Sequence, residues 1–280
     1  MPEGDTIFRT ARTLHRVLAG QEVTRFESVY PALTRVDADA PIVGRRIETV
    51  GARGKHLLMT FSGDLVLHTH MRMHGSWHLY RTGERWRAPA REMRIVVGTG
   101  PVEAVAFSVP VAEFLTHAQL ARHERISSLG PDLADPAFDR AEAGRRLREH
   151  ADEPIHEVLL NQRVLCGIGN ELKSEVLFVA GVDPFARTGT LAPATLDRLL
   201  DVSLRLMAMN TLESGSIRPR VGRQTTGSLD PRASTYVYGR GGKACRRCGT
   251  AIAVSKAGVD ARLTYWCPRC QPGTSDGAGA

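Results

Sequence analysis

Two groups of residues have the types and spacing to do chemistry. At the C-terminal end stand Cys245-x2-Cys248, eighteen intervening residues, and Cys267-x2-Cys270. Two such pairs, each on a tight knuckle, supply four thiolates to a tetrahedral metal ion, and zinc suits that set. With cysteine at every position no coordination site stays open, so a single bound Zn2+ is structural. An iron–sulfur cluster or a redox dithiol pair uses the same residue types. The fifth cysteine, Cys166, is alone and reads as a buried thiol beside a glycine turn. Cations surround the knuckles, among them Arg240, Lys243, Arg246, Arg247 and Arg262. A rigid cationic hairpin suits gripping phosphates. Solvated surface charge is the plainer reading, weakest for Arg262, which leads directly into the Leu-Thr-Tyr-Trp-Cys run.

The other group is the start of the chain, Met1-Pro2-Glu3-Gly4-Asp5. A small second residue permits removal of Met1, which leaves Pro2 with a free secondary amine. An α-amino group titrates at about 7.7–8, far below lysine, so much of it is neutral and nucleophilic near neutral pH. Condensed with an aldehyde-level carbon it forms a cationic iminium, an electron sink for elimination. Glu3, beside it, is placed to donate and shuttle protons. A glutamate near a helix start also has the plain role of favouring the helix dipole.

These groups need elements to hold them. Ile7, Ala11, Leu14 and Leu18 share one face of a helix predicted over 5–19, capped by Asp5 or Thr6 and stopped by Gly20. Short β-type runs follow at 56–61, 64–70, 76–81 and 94–98, with Gly turns between several of them, as in an antiparallel sandwich. Gly130-Pro131-Asp132 and Asp135-Pro136 mark 123–136 as a hinge linker. Helical patterns then cover 137–149, 155–163, 170–180 and 191–212, and the polar stretch 215–235 reads as a mobile loop. The expected division is a catalytic N-terminal helix and β-sandwich (1–122), the hinge (123–136), a helical domain (137–236), a zinc ribbon (237–271) and a disordered tail (272–280). His68, His70 and His74 are close in sequence, but no carboxylate completes a metal set with them.

A formal charge of +7 favours a polyanionic partner, nucleic acid first. No apolar run approaches the roughly 18 residues that span a bilayer, and acidic Glu3 and Asp5 do not suit a secretory signal, so a cytoplasmic protein without a membrane partner is expected.

The Pro-Glu-Gly-Asp-Thr start, the Gly167-Ile168-Gly169-Asn170 segment and the four-cysteine ribbon, in that order, resemble the formamidopyrimidine-DNA glycosylase/endonuclease VIII family, in its actinobacterial endonuclease VIII branch. The likeness runs over about residues 2–271. It implies an α+β fold, with an N-terminal helix plus antiparallel β-sandwich, then a helical domain with a helix–two-turn–helix and the zinc ribbon. It also implies a monomeric, nucleoid-associated base-excision-repair enzyme. Such an enzyme removes oxidised bases from duplex or single-stranded DNA and cuts the abasic site by β- and δ-elimination. Pro2 matches the nucleophile that attacks C1′, Glu3 the acid that assists ring opening, and Lys55 the lysine near the scissile phosphates. Asn170 matches a phosphate ligand at a helix N-terminus, where Gly167 and Gly169 permit close backbone approach. Arg262 matches the ribbon arginine of δ-elimination, with Arg240 as a further DNA contact. Met73, in the loop Met71-Arg72-Met73-His74-Gly75, takes the position of the wedge that fills the stack when a base is flipped out, with a plain core role as the lesser alternative. The stretch Ser108–Phe114 has no arginine where the formamidopyrimidine branch carries one facing the orphaned base, which favours pyrimidine lesions. A non-catalytic zinc-ribbon binder of nucleic acid on the same fold is the alternative.

Overall fold

Helix α1 (Gly4–Leu18) begins the first unit of the chain, and its buried Ile7, Ala11, Leu14 and Leu18 recur at the helical spacing expected of one apolar stripe. That stripe packs on the strand Ile47–Arg53, and His15 Nδ1 accepts a hydrogen bond from the Val50 N–H at 3.1 Å, tying helix to strand. In this computed structural model residues 2–211, 223–258 and 261–273 are described. They fall into two units that meet in sequence between Ser128 and Leu129.

The first unit continues through β1 (Arg25–Ser28), α2 (Pro31–Asp39), β2 (Ile47–Arg53), β3 (His56–Phe61), β4 (Leu65–His70), β5 (Ser76–Arg81), β6 (Met93–Gly98), β7 (Val102–Phe107) and β8 (Val111–Leu115), ending in α3 (His117–Arg122) and α4 (Glu124–Ser127). Two antiparallel sheets result, ordered β1-β6-β7-β5 and β2-β3-β4-β8. Period-two alternation sends Leu57, Met59, Phe61 and Leu67 of one sheet, and Ile95, Val97, Ala104 and Ala106 of the other, into one core that α1 completes. The alternate residues Val96, Val105 and Phe107 of the second sheet form a smaller cluster covered by Trp86.

The second unit holds α5 (Arg140–Glu149), α6 (Ile155–Val158), α7 (Asn170–Ala180), α8 (Pro193–Thr211) and the antiparallel hairpin β9 (Ala253–Ala257) and β10 (Arg262–Trp266). Its core joins Leu147, Ile155, Leu172, Val176, Leu199 and Leu206 from the four helices. Gly181, at φ +68°, ends α7 in the left-handed conformation that glycine adopts without strain. The architecture is thus the mixed one expected, a helix and antiparallel sheets followed by helices and a cysteine hairpin.

Three elements differ from the sequence reading for identifiable reasons. The helix over 155–163 is one turn, because Gln162 turns its carboxamide onto the Leu160 and Ile168 carbonyls and the Gly167 N–H rather than continuing the spiral. The stretch 123–136 is not all linker, since α4 lies within it. The stretch 215–235 is anchored from Arg223 onward: Arg223 pairs with Glu171 at 2.7 Å and Thr225 N–H bonds the Ser234 carbonyl at 2.8 Å. Residues 215–222 of that stretch and 274–280 of the expected tail lie outside the described residues.

Candidate functional site

Pro2 is half-buried and Glu3 is only 1% exposed. Glu3, rather than Asp5 or Thr6, is the N-cap of α1: its extended backbone turns the chain into the helix and its carbonyl accepts from the Thr6 and Ile7 N–H groups at 3.0 Å each. Its carboxylate makes no capping bond to the helix. The backbone therefore holds Pro2 one residue from a rigid element, and the acid beside it is not committed to capping.

Lys55 sits with Gly54 in the two-residue turn between β2 and β3, where Arg53 pairs with His56. Gly54 adopts φ +56°, which suits glycine in so tight a connection. His70, at the end of β4, is half-buried, and desolvation, then Arg72 and Lys55, push its pKa down to about 4. Its neutral Nδ1 accepts the Arg72 N–H at 3.1 Å and so fixes the start of the loop 71–75. Met71 is buried in the core while Met73 is 55% exposed, so the core reading of Met73 does not describe it. Gly75 closes the loop through its N–H to the Met71 carbonyl at 2.9 Å, and a Cβ there would lie 2.6 Å from that same oxygen. Only glycine fits the return.

In the second unit Gly167, at φ +103°, and Gly169, the N-cap of α7, lead into Asn170. Gln162 staples this turn through the bonds already described. Asn170 is buried; its Nδ2 donates to the Leu263 carbonyl on β10 at 2.9 Å, and its Oδ1 accepts from Lys173 Nζ at 2.8 Å. Lys173, with no exposed surface, also donates to Thr264 Oγ1 at 2.8 Å. Arg262 opens β10 half-buried and lines a cavity of about 200 Å³ with His156, Glu157, Leu160, Asn161 and Gly258. Buried His156 is held down to about pKa 4 by desolvation and then by the charge of Lys173, so it is neutral at physiological pH.

The four cysteine sulfurs lie within 4.8 Å of one another, with Cys248–Cys267 at 3.5 Å and Cys245–Cys270 at 3.9 Å. A tetrahedral zinc with Zn–S bonds of about 2.3 Å sets sulfurs about 3.8 Å apart, so the set fits the ion. Arg247 stacks on Phe178 and Tyr236, fastening a knuckle to α7. Arg240 turns its guanidinium onto the Tyr236 and Ala244 carbonyls, so its first task is to brace the ribbon.

Several residues here were not visible as site residues in the sequence. Glu175, buried in α7, accepts the backbone N–H groups of Tyr236, Val237 and Tyr238 at 2.8 Å each, together with the Thr225 hydroxyl. Lys173 and Gln162 are the others. Lys173 did offer one signal, standing three residues after Asn170 on the same helical face. Glu113 is a further omission: in β8 it pairs with His68 of β4 and brings a carboxylate to the histidines, contrary to the sequence reading that none does so.

Three successive segments match known family profiles: residues 1–109 the formamidopyrimidine-DNA glycosylase N-terminal domain, 129–219 the formamidopyrimidine-DNA glycosylase H2TH domain, and 242–273 the zinc finger found in FPG and IleRS. The chain is 39% identical over 282 residues to a probable endonuclease 8 2 of Streptomyces coelicolor, covering 100% of this chain and 97% of that protein. It is 36% identical over 271 residues to the DNA-(apurinic or apyrimidinic site) lyase Nei2 of Mycolicibacterium smegmatis, covering 97% and 99%. A solved structure of Lactococcus lactis Fpg with DNA containing an abasic site superposes with a TM-score of 0.81 at 25% identity, over 97% of this chain and 100% of the other. No helix among the described residues is long and apolar enough to cross a membrane.

Proposed function

The chain belongs to the formamidopyrimidine-DNA glycosylase/endonuclease VIII family, and from that membership we propose how its residues carry out DNA glycosylase and abasic-site lyase chemistry in base excision repair. With Met1 removed, the Pro2 nitrogen attacks C1′ of the damaged nucleotide. The C1′–N bond to the base breaks, its electron pair leaves with the base, and the base takes up a proton. Glu3 protonates the ring oxygen as the sugar opens, leaving a C1′ iminium on Pro2. Loss of a C2′ proton into that electron sink expels the 3′ phosphate, and a second elimination expels the 5′ phosphate. Hydrolysis of the iminium then frees Pro2.

Lys55 and Arg262 stand by the departing phosphates, Arg262 at the second elimination. Asn170, at the N-terminus of α7, holds a phosphate with the backbone of Gly167 and Gly169, where the helix dipole favours an anion. Arg240 adds a phosphate contact through the N–H groups its bracing leaves over. Met73 fills the space left by the extruded base. One zinc ion, held by Cys245, Cys248, Cys267 and Cys270, is structural and keeps the Arg262 hairpin rigid. The enzyme acts as a monomer on duplex or single-stranded DNA at the nucleoid, with oxidised pyrimidines as its lesions.

The observation that carries this reading is the buried, helix-anchored Glu3, which fixes the adjoining imine-forming residue without itself serving as a side-chain cap. Borohydride reduction on abasic-site DNA tests it. A covalent adduct is expected on the N-terminal peptide, and a protein extended by one residue ahead of Pro2 is expected to bind the DNA without forming it. An adduct on Lys55 instead, or full cutting by the extended protein, overturns the assignment.

A further inference from the structure

On the sheet β2-β3-β4-β8, Leu57, Leu67 and Phe114 point into the core, so His56, His68 and Glu113 occupy the opposite face. Helices α3 and α4 pack at that end of the unit, and between them His123 turns its ring onto the same face. Glu113 Oε1 lies 2.8 Å from His68 Nδ1 and 3.0 Å from His123 Nε2. The three donor atoms are all within 4.8 Å of one another.

We propose that His68, Glu113 and His123 form a second metal site, separate from the four thiolates, for a divalent first-row transition ion. Two imidazoles and one carboxylate are a donor set such ions take, with a further position left for water. Zinc bonds of about 2.0–2.1 Å set neighbouring donors about 3.3 Å apart in a tetrahedron, so the two contacts to Glu113 open by only a few tenths of an ångström around an ion. The surroundings suit a ligand shell as well. His56 Nδ1 lies 2.7 Å from His68 Nε2, where it accepts the N–H that a metal-bound imidazole keeps on its outer nitrogen. His123 Nδ1 is buried with no hydrogen-bond partner among the described residues, so this ring is held through the Nε2 that faces Glu113. The His68 side chain is 1% exposed but that of Glu113 is 38% exposed, which gives an ion a way in and a solvent-facing coordination position.

An ion here ties β4 and β8 to the α3–α4 segment, whose last helix ends at Ser127, two residues before the second unit begins. Through His56 it also steadies the turn that carries Lys55. It is a clamp on the unit that presents the N-terminal nucleophile and takes no part in the eliminations. Without an ion, protons on the two imidazoles hold the same three residues together, and the experiment separates the two cases.

Cobalt(II) is titrated into protein whose four-cysteine site is already filled with zinc. One equivalent is expected to bind, with weak d–d absorption and none of the intense thiolate charge-transfer bands that cobalt in the ribbon gives. Glu113→Gln, a substitution at a partly exposed side chain, is expected to fold normally and to take up none, and His56→Ala to bind about 10–100-fold more weakly. If the zinc-filled parent protein takes up no more cobalt than Glu113→Gln does, the cluster is a hydrogen-bonded chain and the proposal fails. Undiminished uptake by Glu113→Gln places the ion elsewhere and also overturns it.

Discussion

Lys173 Nζ donates to Asn170 Oδ1 at 2.8 Å from a side chain with no exposed surface. The same ammonium reaches Thr264 Oγ1 on β10, two residues from Arg262. One buried cation therefore orients the amide at the start of α7 and locks the helix to the hairpin, so the proposed phosphate ligands Asn170 and Arg262 are set by a common brace.

Lys173→Met keeps the aliphatic stem and removes both bonds. Leaving Asn170 Oδ1 and Thr264 Oγ1 buried without a donor costs on the order of 1–3 kcal/mol each. The variant is expected to unfold at lower denaturant and to bind abasic-site DNA roughly tenfold more weakly, a change of about 1.4 kcal/mol. Wild-type affinity, measured by fluorescence anisotropy, would mean that Asn170 needs no such orientation.

What could be read in the sequence was what short-range pattern encodes. The stripe of α1, the strand at 76–81, the helix at 170–180 and the paired cysteines depend on spacings of two to four residues, and the structure has elements at those places. The helix α2 was not foreseen, although Pro31 at its first turn is a recognised start signal. Glu175 and Lys173 looked like ordinary charges on a helix, because their partners at 236–238 and Thr264 come close only when the chain folds. The same holds for Glu113, separated by 45 residues from the His68 it bonds. A buried charge cannot be told from a solvated one until its distant partner is known.

The loop 71–75 separates a wedge role from a packing role. Because Met73 is 55% exposed, Met73→Ala is expected to change stability by no more than about 0.5 kcal/mol. It should nevertheless slow base release from duplex lesions by roughly tenfold, about 1.4 kcal/mol of lost transition-state binding, and leave cutting of a preformed abasic site in single-stranded DNA nearly intact. Gly75→Ala, whose Cβ would meet the Met71 carbonyl at 2.6 Å, should impair both and lower stability. Equal loss on both substrates for Met73→Ala would remove the wedge.

His156 predicts an acid limb in stability. Burial and Lys173 lower its pKa in the fold to about 4, against an ordinary value near 6.5 when unfolded. The unfolded chain therefore binds a proton first as pH falls, so stability is full above about pH 6.5 and is lost progressively down to about pH 4, with no further loss from this group below that. His156→Gln, which does not titrate, should show a shallower fall over that window in urea denaturation. An unchanged slope would assign the acid sensitivity to other groups, His70 and His56 first, since both are also held low.

Removal of the ribbon metal should act on one unit. Metal binding to such a thiolate site is worth on the order of 10 kcal/mol to the segment that folds around it, and the cluster of Cys245, Cys267, Ile252, Val237 and Phe178 is small beside the other cores. Cys267→Ser removes a ligand with no exposed surface, and Gln271, which accepts the Cys267 N–H and donates to the Val182 carbonyl, loses its frame with it. The variant is expected to lose zinc by elemental analysis and to lose DNA binding, because Arg262 then stands on a hairpin without its metal anchor. The first unit has its own core, from α1 through both sheets, and should keep its hydrogen-exchange protection. Loss of protection throughout β2, β3 and β4 in the zinc-free protein would show that the two units do not hold their folds independently.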